Sequence, residues 1–151
     1  MASQQVTLCF VVQSGRVLLI RKKRGLGAGR INGPGGKVEP GETPLAAAIR
    51  ETVEETGVTP QNLTLYGELI FYFRGGPTQT CLIYLADRFE GELAETAEAL
   101  PLWYPVDALP YDEMWADDRH WLPLLLAGRR FGGWVEVEGE EVRAHRIDVV
   151  P

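Results

Sequence analysis

A chain of 151 residues, 45% of them hydrophobic, is long enough to bury one core and too apolar to stay disordered. Its formal net charge of −6 argues against a general binder of nucleic acid polymers, although an acidic protein still holds an anion where metal ions supply local positive charge. The early apolar run 8–12 is far too short to cross a membrane, so no membrane association is expected.

In chain order, residues 6–12 and 16–20 are β-rich and flank Ser14-Gly15, a hairpin signal. Arg21-Lys22-Lys23-Arg24 follows, then a stretch 25–41 rich in glycine and holding Pro34 and Pro40, which no helix survives; it reads as loop with short strands. Thr43 and Pro44 are an N-cap and first helical residue, the helix should run to Thr56, and Gly57 suits the position after its end. Residues 63–73 and 80–89 read as strands joined by Arg74-Gly75-Gly76-Pro77, and 102–106 as a short strand. Residues 117–127 read as helix despite Pro123. A last hairpin, 134–137 and 142–147, flanks Glu138-Gly139-Glu140. With neither repeat nor linker, the expectation is a single domain over 1–151: an α/β fold with a mixed sheet and helices on its faces. Cys9 and Cys81 lie in apolar strand-like runs without metal-ligand spacing. They read as buried, reduced thiols, which suits the cytoplasm.

The chemistry concentrates in the first helix. On a wheel of about 100° per residue, Leu45, Ile49, Thr52, Val53 and Thr56 form one arc, expected to face the core. Glu51, Glu54 and Glu55 form a second arc nearly opposite. Carboxylates at this spacing repel one another, and no lysine follows any of them four residues on. The cluster is either a solvated acidic face or a set of hard oxygen ligands for a divalent cation.

The preceding loop decides between them. Gly36 is followed after five residues by Glu42 and after seven more by Arg50-Glu51, then Glu54-Glu55 and Gly57-Val58. This pattern resembles the box of the Nudix hydrolases at every fixed position; Thr52 alone stands where the family has an aliphatic residue. The resemblance implies an α/β/α sandwich, and a soluble enzyme that uses Mg2+, with Mn2+ as a substitute, to hydrolyse a nucleoside diphosphate linkage. It implies that Glu54 and Glu55 are metal ligands, Glu51 a further ligand or the general base, and the Gly35 carbonyl another ligand. Arg50 would orient the glutamates, and Glu42 would brace the loop.

Beyond the box, nearly the whole chain resembles the MutT branch, in particular its members that hydrolyse oxidised purine nucleoside triphosphates. The resemblance runs through residues 22–30, Asn32-Gly33, Phe71-Tyr72-Phe73, residues 114–118 and residues 121–126. It implies that Asn32, Trp115, Asp117 and Asp118 read the base, that Glu98 adds a metal ligand, and that Lys22 and Thr7 line the substrate site. Phe71 and Phe73 alternate on one strand face and read as core or pocket wall. Taken alone, Trp115 reads more often as a core or lid residue, Asp117-Asp118 more often as a helix cap, Glu98 as exposed loop, and His120 and His145 as lone surface or core side chains. Ile31, Pro34 and Ala99 replace bulkier or aromatic residues of that branch, and Ala99 is expected to widen the base pocket.

The expected partner is therefore a nucleoside triphosphate, hydrolysed by a monomer to monophosphate and pyrophosphate. The alternatives are a Nudix hydrolase of a dinucleoside polyphosphate or nucleotide sugar, and a silent nucleotide-sensing module. Asn32 with Asp117-Asp118 favours the triphosphate, and the intact carboxylate set argues against a sensor.

Overall fold

The computed structural model describes residues 4–25 and 27–151; Leu26, within the MutT-like segment 22–30, and residues 1–3 lie outside the described residues. Its strands are β1 (Gln4–Gln13), β2 (Arg16–Lys22), β3 (Ile31–Asn32), β4 (Gly35–Lys37), β5 (Thr59–Phe73), β6 (Thr78–Glu90), β7 (Ala99–Pro105), β8 (Phe131–Glu138) and β9 (Glu141–Val149). The helices are α1 (Pro44–Thr56) and α2 (Asp118–Leu126), with a 3-10 turn at Tyr111–Glu113.

The sheet order is β3-β2-β1-β6-β5-β8-β9, with β4 paired to β1 and β7 to β2. β1–β6 and β5–β8 are parallel, and the other pairs are antiparallel. β1 organises the site. Its outer end turns back through Ser14-Gly15 into β2, while Val6, Thr7 and Leu8 pair with β4 on one side and β6 on the other. The glycine-rich loop is thereby fastened to the middle of the sheet.

Alternation along the strands builds two cores. Cys9, Val11, Leu18, Tyr84 and Ala86 pack with Ala48 of α1 on one face. Phe10, Val17, Leu19, Cys81 and Ile83 pack with Trp121, Leu122 and Leu125 of α2 on the other. Trp121 sits between Phe10 and Phe131, with ring centroids 5.9 and 5.8 Å away. A helix on each face of a mixed sheet is the expected α/β/α sandwich. Both cysteines are buried and unbridged.

The orientation of α1 differs from the expectation. Its buried residues are Ala47, Ala48, Thr52, Glu55 and Thr56, whereas Leu45 and Val53 are 45% and 40% exposed. A hydrophobic wheel weighs polarity and ignores size. The short Ala48 and Thr52 let the helix lie close to the sheet, which swings Glu55 inward. Thr52 meets the sheet without an unpaired hydroxyl, because its Oγ1 donates to the Ala48 carbonyl at 2.8 Å. The caps follow the sequence: Thr43 Oγ1 accepts from the Ala46 N–H at 3.1 Å, and Gly57 ends the helix at φ +82°, a conformation that favours glycine. In α2, Pro123 is accommodated and the helix ends three residues later.

Candidate active site

A cavity of about 220 Å³ opens where β1, β4, β5 and β6 meet the segment 115–118 and the β8–β9 hairpin. Its apolar wall includes Val6, Leu8, Ile20, Phe71, Phe73, Val137 and Val142. Phe71 and Phe73 stack with centroids 6.0 Å apart. Its polar groups are Thr7, Lys22, Asn32, Gln79, Glu55, Glu140, Asp117 and Asp118. Few polar groups converging on an apolar cleft is the usual architecture of a small-molecule site.

One end of the cavity is the loop ahead of α1. Gly35 pairs with Leu8 and Gly36 with Thr7. A Cβ on Gly35 would strike the Thr7 carbonyl, and one on Gly36 would stand 2.6 Å from the Glu51 carboxyl carbon. Glycine at both positions is what lets the loop lie against strand and helix together. The Gly35 N–H donates to Glu55 Oε1 at 2.8 Å. Burial raises the Glu55 pKa to about 7, a shift that this hydrogen bond opposes and the negative charges of Glu51 and Glu98 reinforce.

Arg50 is the hub beside it. Its Nε and Nη2 grip Glu42 at 2.7 and 2.9 Å, its Nη1 donates to Glu51 at 2.8 Å, and its Nη2 also reaches the Lys37 carbonyl at 3.1 Å. Glu54 stands farther off, 3.4 Å from Nη1. The bidentate grip lowers the Glu42 pKa to about 2, helped by the Glu39 N–H. Glu51 is half-buried, and desolvation raises its pKa against the pull of Arg50.

At the other end lie two adjacent buried acids. Asp117 occupies the cap position of α2 without capping it; its Oδ2 instead accepts the Trp121 Nε1–H at 2.8 Å. Burial raises both acids. For Asp118, the Asp117 charge and a hydrogen bond to Asp117 add to the effect, so its pKa stands well above the usual range. For Asp117, the bonds from Trp121 and Asp118 favour the ionised form. The two acids therefore differ: Asp118 holds its proton the more strongly, and Asp117, which accepts from Trp121, is the better acceptor. Thr7, in contrast, is 1% exposed and its Oγ1 meets no hydrogen-bond partner among the described residues.

Thus Thr7, Lys22, Asn32, Gly35, Glu55, Phe71, Phe73, Trp115, Asp117 and Asp118 line one cavity. Arg50, Glu51 and Glu54 lie outside its wall, on the adjoining edge of α1. Glu98 pairs with Arg24 at the surface, outside the cavity wall, and its charge acts on Glu55 and Lys22 of the site. The expectation for Ala99 is corrected: it is fully buried in β7 opposite Lys22 and lies outside the cavity wall. Ile31 likewise belongs to the core around Trp121. Sequence reasoning missed Gln79, Cys81 and Glu140, because strand pairing alone brings them to the cavity. His120 and His145 stack at 4.0 Å, a contact between α2 and β9 that their sequence separation conceals.

Among the described residues, no three His, Cys, Asp or Glu side chains lie grouped as a ready metal cage. The donors nevertheless suit a hard cation: Glu55 is a buried carboxylate with one backbone donor, and Glu51 is half-buried beside it. A cation there would offset the charges that now oppose ionisation of Glu55.

The NUDIX domain model matches residues 2–125. An oxidized purine nucleoside triphosphate hydrolase of Danio rerio is 47% identical over 150 residues, covering 98% of this chain and 96% of that protein. Its namesake in Mus musculus is 41% identical over 140 residues, covering 92% and 90%. The crystal structure of a mutator MutT protein from Bacillus halodurans has a TM-score of 0.86 at 31% identity, covering 96% of this chain and 97% of its own. With that match spanning both the Arg50-centred loop and the helix it braces, the chain belongs to the Nudix family of hydrolases.

Proposed function

We propose that the protein hydrolyses purine nucleoside triphosphates oxidised on the base, such as 8-oxo-dGTP, to monophosphate and pyrophosphate, clearing them from the nucleotide pool. The observation that carries this reading is the buried, adjacent Asp117-Asp118 pair in the same cavity as Asn32, with burial raising both acids and the Asp117 charge raising Asp118 further. Oxidation at C8 turns the N7 acceptor of a purine into a donor and adds an oxygen. A site holding an amide, a carboxylate and a carboxylic acid can answer either polarity, and a base that leaves one of them unpaired loses affinity. The names of the relatives from Danio rerio and Mus musculus support the same substrate class.

In this reading the base lies among Asn32, Asp117, Asp118 and Trp115, with Phe71 and Phe73 on the wall, Thr7 and Lys22 nearer the sugar and phosphates, and the diphosphate toward Glu55. Glu51, Glu54 and Glu55, with Glu98 and the Gly35 carbonyl, would hold magnesium, or manganese in its place. A cation held there would supply Lewis-acid chemistry, polarising a phosphoryl oxygen and lowering the pKa of the attacking water. Arg50 fixes Glu51 and braces Glu42, so the carboxylates are oriented before substrate arrives. The protein acts as a cytoplasmic monomer. A panel of normal and oxidised triphosphates, with magnesium and with chelator, tests the reading. Monophosphate and pyrophosphate from the oxidised purines support it. Orthophosphate with a diphosphate, full activity in chelator, or equal use of dGTP and 8-oxo-dGTP overturns it.

A further inference from the structure

Three segments distant in sequence converge at the mouth of the cavity, and one side chain joins them. The Arg30 guanidinium carbon lies 4.5 Å from the centroid of the Trp115 ring. Its Nη1 donates to the Met114 carbonyl at 3.2 Å, and its Nη2 pairs with the Glu140 carboxylate. Trp115 and Glu140 both line the cavity, Glu140 from the turn between β8 and β9. Gly27 lies against the indole, since a Cβ there would stand 2.9 Å from Trp115 Cζ2. Arg30 is mostly covered, at 23% exposure, whereas Glu140 is 75% exposed.

We propose that Arg30 is a positioning residue: it fixes the plane of Trp115 against the Gly27 backbone, and Glu140 holds Arg30 in place across the cavity mouth. A tryptophan on a loop has freedom about its side-chain torsions, and ordering it at the moment of binding reduces affinity. A guanidinium removes that freedom beforehand. It is planar, stacks on an aromatic face, and still has N–H groups in the plane for a carbonyl and a carboxylate. A lysine ammonium is a compact charge without that planar fork. The specificity of the cavity then depends on a residue that need not touch the nucleotide, with the β8–β9 turn as its anchor. The inference rests on the reading that Trp115 borders the bound base.

The test pairs kinetics with a measurement that needs no substrate. In Arg30→Ala the KM for 8-oxo-dGTP should rise about 5- to 10-fold, with a smaller change in kcat, because ordering of the pocket is lost rather than a reacting group. Arg30→Lys should not restore it, and Glu140→Gln should shift KM the same way, by about 2- to 3-fold. In a Trp115→Ala background, removing Arg30 should have no further effect. In ligand-free protein, acrylamide quenching of the Trp115 fluorescence, taken as the difference from Trp115→Phe, should increase in Arg30→Ala while circular dichroism stays unchanged. Unchanged quenching in Arg30→Ala and Glu140→Gln overturns the proposal. So does a KM rise that persists without Trp115, which would mean that Arg30 touches substrate directly. If no oxidised nucleotide is hydrolysed, the functional reading fails, and the quenching result still decides the clamp.

Discussion

Thr7→Val should stabilise the ligand-free protein and weaken it as an enzyme. Thr7 lies in β1 between β4 and β6, 1% exposed, with its Oγ1 unpartnered among the described residues. A buried hydroxyl without a partner costs about 1–3 kcal/mol, and valine has nearly the same shape and the same preference for a strand. The exchange removes that cost and leaves the packing intact. A gain of about 1 kcal/mol corresponds to a rise in Tm of roughly 2–4 °C for a chain of this size. Thr7 lines the cavity, and if a bound ligand takes up its hydroxyl, losing one neutral hydrogen bond costs about 0.5–1.5 kcal/mol, a rise in KM of roughly 2- to 10-fold. Calorimetric melting in chelator without nucleotide, beside steady-state kinetics, reads both quantities. A fall in Tm would mean that the hydroxyl is satisfied in the ligand-free state, refuting the premise. A higher Tm with unchanged KM would mean that the ligand does not reach it.

Glu54→Gln and Glu55→Gln should each lower kcat by more than about tenfold while the fold persists, since each would lose charge at the proposed cation site; a variant keeping more activity would remove that glutamate from the metal site. The stability of the metal-free protein should fall as pH rises. Below the ordinary carboxylate value of 4.5, Glu55 is protonated folded or unfolded; between 4.5 and about 7 the unfolded chain alone releases the proton; above that the penalty is constant. The span amounts to roughly 3 kcal/mol at most, and melting curves against pH in chelator should be flatter by that part in Glu55→Gln. Equal slopes in the two proteins would mean that Glu55 ionises normally. Asp117→Ala and Asn32→Ala should each reduce the ratio of kcat/KM for 8-oxo-dGTP over dGTP, and a ratio unmoved by both would show that these residues do not read the base.

Much of this protein is legible residue by residue. Thr43-Pro44 and Gly57 delimit α1 because caps are local chemistry, and Ser14-Gly15 and Gly139-Glu140 mark their turns for the same reason. The spacing from Gly36 to Gly57 identifies the loop and helix because a carboxylate cluster held by Arg50 needs those residue types at those intervals. Less was visible of which way α1 faces. Its inward side was set by the shortness of Ala48 and Thr52 and by the Gly35 N–H waiting for Glu55, none of which a polarity pattern weighs.

Local order and the family motif were therefore determined by the sequence alone, since turns, caps and a helical carboxylate stripe depend on neighbours within a few residues. Only the tertiary structure decided what the cavity is. Strand pairing brought Thr7 beside Gly36, and the β8–β9 turn carried Glu140 to Arg30. Burial, which no single segment can impose on itself, raised both Asp117 and Asp118, Asp118 the further, and left the Thr7 hydroxyl without a partner among the described residues. Desolvation and unpaired hydrogen bonds belong to the packed molecule, because they arise when distant segments exclude water from one another.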